Sequence, residues 1–375
     1  MKKIIVFSLL GIGALTMMQC TKFTSTGSAP APTLPPTAFH YAINIPNGTI
    51  DNTPSHNPIS DDGATLGRVL FFDKQLSINN ANACASCHHQ ENGFADPVAK
   101  SRGFEGELTS RNSMSIINAA NENSYFWDGR TDGLEEMVLQ PVRHQIEMGM
   151  EKMDVLPAKL AKTAYYPELF KKAFGTTEIT SDRISLAMAQ FIRSMSSYKS
   201  LADESGVARN WGFDSANVLN TAQKAGAQLF FGQAGCANCH SGTNFRGMTD
   251  NDMANIGLDM EYTDNGIGAF KNDASKNGVF RIPSLRNIAL TAPYMHDGRF
   301  ATLKDVVNHY NKGVNKHPNL DNRLRNSGGW GGSDDNPRRL NLTDNDVNNL
   351  VEFLKTITDK EVTTHARFSD PFAAK

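Results

Sequence analysis

The segment "CASCH" (residues 84–88) returns later in the chain as "CANCH" (residues 236–240). The two stretches hold four of the five cysteines. Four cysteines of an exported chain could form disulfides, but two identical CxxCH spacings point elsewhere. This spacing is the attachment signature of c-type haem. Two thiols one helical turn apart reach the two vinyl groups of a porphyrin, and the adjacent histidine meets the iron from the proximal side. On this reading Cys84 and Cys87 hold one haem, Cys236 and Cys239 hold a second, and His88 and His240 are the proximal ligands. His89 follows directly and is expected to point away from the iron.

Working outward, the repeat extends well beyond these motifs. "GRVLFF" (67–72) precedes the first and "GAQLFF" (226–231) the second. "RNSMSIINAA" (111–120) and "IPSLRNIALT" (282–291) follow at comparable places. "SYFWDGRTDGLEEMV" (124–138) then aligns without a gap with "PYMHDGRFATLKDVV" (293–307), setting Trp127 against His296. The chain is therefore a duplication of one large unit rather than an array of short repeats.

The pattern is mainly α-helical. Ile184, Met188, Phe191, Ile192 and Met195 recur at three-to-four spacing. Thr343 and Asp346 form a near capping box before Val347, Leu350, Val351, Leu354 and Ile357. Strand-like alternation is scarce, and the Gly/Asn-rich stretch 325–337 reads as surface loop. The helix after residue 184 is expected to end near Lys199, with the halves dividing within 202–215.

The chain has 375 residues and a formal net charge of −2. That suffices for two domains and gives no sign of a nucleic-acid partner. Lys2 and Lys3 precede an apolar run from Ile4 to Met18, the flanks of a signal peptide. The run stops at Cys20, and a Ser/Thr/Pro/Ala stretch follows that reads as a flexible tether. The layout resembles a bacterial lipoprotein acylated on Cys20, although Gln19 departs from the usual small residue; a signal peptide cleaved elsewhere is the alternative. The expected division is signal peptide 1–19, tether 20–40, N-terminal haem domain 41–210, C-terminal haem domain 211–362 and tail 363–375. The expected location is the periplasm of a Gram-negative bacterium, with the membrane reached through the lipid alone.

Taken together, the two CxxCH motifs, "FWDGR" with the following "LEE", Pro141 and "EMG", and "RIPSLRN…LTAPYMHDGR" resemble the bacterial di-haem cytochrome c peroxidase family, which includes MauG. The resemblance runs from about residue 60 to 357. It implies two cytochrome-c-like helical domains, each with one covalent haem and with the active site on the N-terminal one. It implies that Trp127 lies between the haems and couples them. It assigns Glu147 as the distal acid–base group, a role that peroxide cleavage requires because one proton must leave the inner oxygen and one must reach the outer. It also implies a Ca²⁺ ion between the domains, held by Asn112, Thr291 and Pro293 with waters.

Three departures from the peroxidase members stand out. Their displaceable distal histidine is replaced by Phe104, so the first iron is expected to be five-coordinate or water-ligated, with His144 the remaining histidine in reach. A distal glutamine is replaced by Met137, whose thioether donates no hydrogen bond, leaving Gln145 or a water to supply one. The axial methionine of the second haem is replaced by Tyr310, as in MauG-type members, on the face shared by Leu303, Val306 and Val307. Phenolate favours higher iron oxidation states where thioether favours the reduced one.

The reading that follows is a di-haem peroxidase taking electrons from a small cytochrome c or cupredoxin. Its rivals are MauG-like oxidation of a protein or organic substrate, and a non-enzymatic di-haem electron carrier. Family members are often dimers.

Overall fold

The computed structural model describes residues 30–245, 253–326 and 334–373. Cys20 and the expected signal segment lie outside them, as does the middle of the stretch 325–337.

Each half is built on one pair of crossing helices, Asp61–Phe72 with Ser181–Ser194 and Thr221–Phe231 with Asp344–Lys355. All four begin on a polar cap. The side chains of Ser60, Thr180, Asn220 and Thr343 each accept a backbone N–H of the first turn. Thr343 and Asp346 complete the full capping box.

The repeated glycine of "GRVLFF" and "GAQLFF" explains where the helices cross. A Cβ on Gly67 would lie 2.0 Å from the Ala187 carbonyl oxygen, and one on Gly226 would lie 2.0 Å from that of Asn349. The backbones meet at these points, so only glycine fits. Four residues on, Phe71 packs on Phe191 at 5.5 Å and Phe230 on Phe353 at 5.2 Å between ring centroids. Alanine at position 226 would gain about 1 kcal/mol in helix propensity. It would lose more by forcing the helices apart, and Gly226→Ala is expected to cost about 3 kcal/mol net. Denaturant unfolding checks this, and wild-type stability would show that the crossing can open without loss.

The first core gathers Leu66, Leu70, Phe170, Met188 and Phe191; the second gathers Phe230, Phe245, Leu350 and Phe353. The crossing helix ends at Ser194 rather than near Lys199, and Ala202 already belongs to the second core. The packing therefore changes between these two residues, at the start of the expected boundary region. Two two-residue strands, Met253–Ala254 and Phe280–Arg281, pair antiparallel. No helix among the described residues is long and apolar enough to cross a membrane.

Both expected loose ends are corrected by packing. Leu34 and Phe39, within the stretch read as a tether, pack on the first core. Val362 and Phe368 are buried in that same core, so the last residues return to the first half. The Thr33 amide donates to the Pro371 carbonyl at 2.7 Å, and Arg68 Nε donates to the Ser369 carbonyl at 2.7 Å. Gln90 Nε2, just past the first CxxCH, donates to the carbonyls of Val362 and His365. Isolated apolar anchors in polar stretches carry no periodicity, which is why sequence pattern passes over them.

Candidate functional site

Both CxxCH segments fold as a single 3₁₀ turn, Cys84–Ser86 and Cys236–Asn238. The His88 amide donates to the Cys84 carbonyl at 3.0 Å and the His240 amide to the Cys236 carbonyl at 2.9 Å. The imidazoles are then fixed from behind. His88 Nδ1 lies 2.8 Å from the Phe94 carbonyl and His240 Nδ1 lies 3.3 Å from that of Phe245. Phe94 and Phe245 both take left-handed backbone, φ 56° and 49°, to aim those carbonyls. With Nδ1–H engaged in this way, Nε2 keeps its lone pair for a ligand. The four thiols form no disulfide. Burial pushes Cys84 and Cys236 up to about 12 and Cys87 up to about 11, so they remain neutral thiols.

One continuous cavity joins the two halves, and Cys87, His88, Cys236, Cys239 and His240 all stand in its wall. Trp127, Glu147 and Tyr310 stand in the same wall, with Ile117, Ile282 and Leu350 among the apolar lining. Two oriented imidazoles, each beside a pair of unbridged thiols and facing an apolar space, fit two c-type haems.

The two quoted repeat segments meet at the junction of the halves. Phe126 and Met295 occupy equivalent positions in left-handed backbone, φ 67° and 76°. Next in sequence, Trp127 Nε1 donates to the Asn112 carbonyl at 2.9 Å, while the His296 ring stacks on Phe280 at 4.0 Å. The Asn112 amide donates to the His296 carbonyl at 2.8 Å, and the Arg281 amide donates to the Trp127 carbonyl at 2.7 Å. The same alignment that sets Trp127 against His296 sets Asn112 against Arg281. These two bonds are therefore one bond made twice, about a local pseudo-twofold axis. Arg111 reinforces the junction by pairing with Asp128 at 2.6 Å and with Asp264 at 2.7 Å. Sequence reading met Arg111 only as the first residue of "RNSMSIINAA" and gave it no role, and it passed over Tyr262, which belongs to no repeated segment. Tyr262 also lines the cavity; its hydroxyl donates to Asn255 Oδ1 and accepts from the Leu258 amide.

After "FWDGR" the chain forms two single turns, Leu134–Met137 and Gln140–Arg143, the second containing Pro141. Pro141 sits in the first turn of that second element, where its missing N–H costs nothing. The loop beyond delivers Glu147. Its Oε1 lies 3.6 Å from His144 Nδ1, and the carboxyl side chain is 32% exposed. Burial raises its pKa, partly offset by His144 and Arg130. Met137 and His144 share the cavity wall, whereas Gln145 is exposed and outside it. Phe104 is outside as well. Its amide is shared between the Ile146 and Glu147 carbonyls, 3.2 Å to each, and its ring fills the space beside Gly149. The position read as that of a displaced histidine is thus a clamp on the Glu147 loop.

In the second half Thr302 and Asp305 form a capping box for the helix Leu303–Asn308. That helix continues as a π-turn, His309–Gly313, which carries Tyr310. Such turns insert a residue into a helix and often mark functional positions. Tyr310 shares the cavity wall with Leu303, Val306 and Val307. Burial, then the neighbouring Cys239 and Cys236 thiols, pushes its phenol well above the ordinary value. Asn112, Thr291 and Pro293 also border the cavity. Asn112 is 7% exposed and donates from Nδ2 to the Val98 carbonyl at 3.0 Å, which leaves its Oδ1 as an acceptor.

Residues 61–209 match the family described as di-haem cytochrome c peroxidase, and residues 223–358 match cytochrome c. The chain is 32% identical over 307 residues to the methylamine utilization protein MauG of Methylorubrum extorquens, covering 81% of this chain and 80% of that protein. It is 35% identical over 254 residues to cytochrome c551 peroxidase of Nitrosomonas europaea, covering 67% of this chain and 73% of that one. Among solved structures it is similar to a MauG-like protein associated with microbial copper homeostasis. That likeness has a TM-score of 0.75 at 32% identity, over 88% of this chain and 100% of the other.

Proposed function

The chain belongs to the di-haem cytochrome c peroxidase family that includes MauG, and from that premise we propose that it reduces hydrogen peroxide at its first haem site with electrons from a small periplasmic redox protein. The observation that carries this reading is the shared cavity, which puts Glu147, Trp127 and Tyr310 in one wall with both CxxCH motifs.

Cys84 and Cys87, and Cys236 and Cys239, would hold two haems with His88 and His240 as iron ligands, and the first would supply the site where peroxide binds and the electrons that cleave its O–O bond. Glu147, as carboxylate, takes the proton of one peroxide oxygen and returns it to the other. Its raised pKa suits both halves of that exchange. His144 is close enough to steady the charge that comes and goes on the carboxyl. Met137 offers no donor there. Trp127 spans the junction and links the two sites electronically. The overall change is one peroxide, two electrons and two protons to two waters.

A second reading rests on Tyr310. A phenolate ligand to the second iron disfavours its reduction, which suits MauG-like oxidation of a protein or organic substrate. The bond from Nδ2 to Val98 orients the Asn112 amide for Ca²⁺ with the Thr291 and Pro293 carbonyls; strong chelation that leaves the coupling of the two sites unchanged would argue against that ion. Lipidation at Cys20, periplasmic location and dimer formation belong to the same proposal.

Steady consumption of peroxide by the haem-loaded protein with a reduced small cytochrome c tests the first reading. Peroxide reaction that leaves the cytochrome reduced would favour the second. Spectra untouched by peroxide would leave only an electron carrier.

A further inference from the structure

Bulky side chains in left-handed backbone are uncommon and concentrate where a structure holds a group for use. Apart from asparagines, five non-glycine residues adopt it among the described residues: Phe94, Phe126, Trp211, Phe245 and Met295. Four form the two matched pairs that aim the histidine-supporting carbonyls and shape the junction. Trp211, at φ 46°, has no counterpart in the other half.

Its backbone is held by local bonds: the Gly212 amide donates to the Val207 carbonyl at 2.9 Å, and the Phe213 amide to the Asn210 carbonyl at 3.0 Å. The strained turn does not bury the indole. Trp211 is 68% exposed and Phe213 is 71% exposed. From there a short aromatic ladder runs inward. Trp211 meets Phe231 edge-on at 6.2 Å, and Phe231 meets Phe230 at 5.1 Å. Phe230 is buried and lines the cavity beside Cys236 and His240. In the first half the matching Phe71–Phe72 pair, 5.2 Å apart, is instead approached by the N-terminal stretch, Phe39 and Phe72 bordering one cleft. The ladder thus reaches the surface through an indole only in the second half.

We propose that Trp211 is the surface redox residue at which a reduced c-type cytochrome delivers electrons to the second haem site. Indole is readily oxidised and presents a broad, rigid apolar face, the side chain most often dominant at protein contacts. A folded donor cannot enter the cavity, so its electron has to cross at the surface. The step is a one-electron exchange. Trp211 loses an electron along the ladder to the oxidising equivalent that peroxide leaves in the protein, and the exposed N–H can shed its proton to water. The ferrous cytochrome then returns one electron and water the proton. Two rounds balance one peroxide reduced to two waters.

This inference rests on the peroxidase reading, so the experiment separates their failures. Haem-loaded protein receives stoichiometric peroxide and a nitroso spin trap without donor, and tryptic peptides are mapped by mass. The adduct is expected on the peptide holding Trp211, and to vanish from it in Trp211→Phe. That variant should oxidise reduced cytochrome c at least about tenfold more slowly. With ferrocyanide, a small donor, it should keep its rate to within about twofold. Peroxide consumption with ferrocyanide, but no Trp211 adduct and full cytochrome turnover in the variant, would overturn this inference alone. No peroxide consumption at all would sink the peroxidase reading, and this inference with it.

Discussion

Glu147→Gln is expected to slow the reaction with peroxide by a factor of about 10² to 10⁴ while leaving the fold intact. The amide has nearly the shape of the carboxyl but cannot take a proton. Phe104 grips the loop by its backbone carbonyls, which the substitution does not touch. The pH dependence gives an independent check. Burial lifts the Glu147 pKa above the ordinary carboxylate value. Below the raised pKa the group is protonated and cannot act as a base, so the wild-type rate should fall as pH drops through it. That acid limb should lie above about pH 4.3, the usual value for glutamate, and should disappear in Glu147→Gln. His144 draws the pKa downward, so His144→Ala should move the limb to higher pH. Rapid-mixing measurement of the first peroxide-dependent spectral change reads all three. A Glu147→Gln rate equal to wild type, with the limb retained, would transfer the acid–base role to another group, His144 being the nearest.

These expectations were legible in the sequence to different depths. The motif residues were legible because covalent attachment and iron ligation demand particular side chains at fixed spacing. The crossing glycines Gly67 and Gly226 were visible as a repeat, but their reason, a backbone oxygen 2.0 Å from any added Cβ, exists only in three dimensions. Phe104 could be counted into the place of a missing ligand. That it clamps the Glu147 loop through its amide could not be counted, since backbone bonds leave no trace in residue identity. The doubled hydrogen bond at the junction was hidden for the same reason. The ends of the chain misled because Leu34, Phe39 and Phe368 are single anchors among polar neighbours, and a few apolar contacts suffice to hold a short segment on an existing core. Tyr310 was found by counting, and the π-turn that carries it was not.

That π-turn bears on the second large effect. Tyr310→Met is expected to raise the reduction potential of the second haem by at least on the order of 100 mV, because axial ligands tune haem over about 0.8 V and thioether favours the reduced iron that phenolate disfavours. The protein alone works against phenolate. Burial and the nearby thiols hold the Tyr310 proton on, well above the ordinary value. A bound cation inverts that logic, so phenolate would be stable here only while a ferric iron faced it, and reduction of that iron would weaken the pairing. Such a site would be biased towards its oxidised state. Tyr310→Phe separates packing from ligation, since it keeps the ring in the wall with Leu303 and Val307 and removes only the oxygen. Potentiometric titration of the wild type and both variants makes the comparison. With ligation, both variants rise in potential and their second-haem spectra change. Unchanged potentials in both would make Tyr310 a wall residue. The case for oxidation of a protein or organic substrate would then lose its main support.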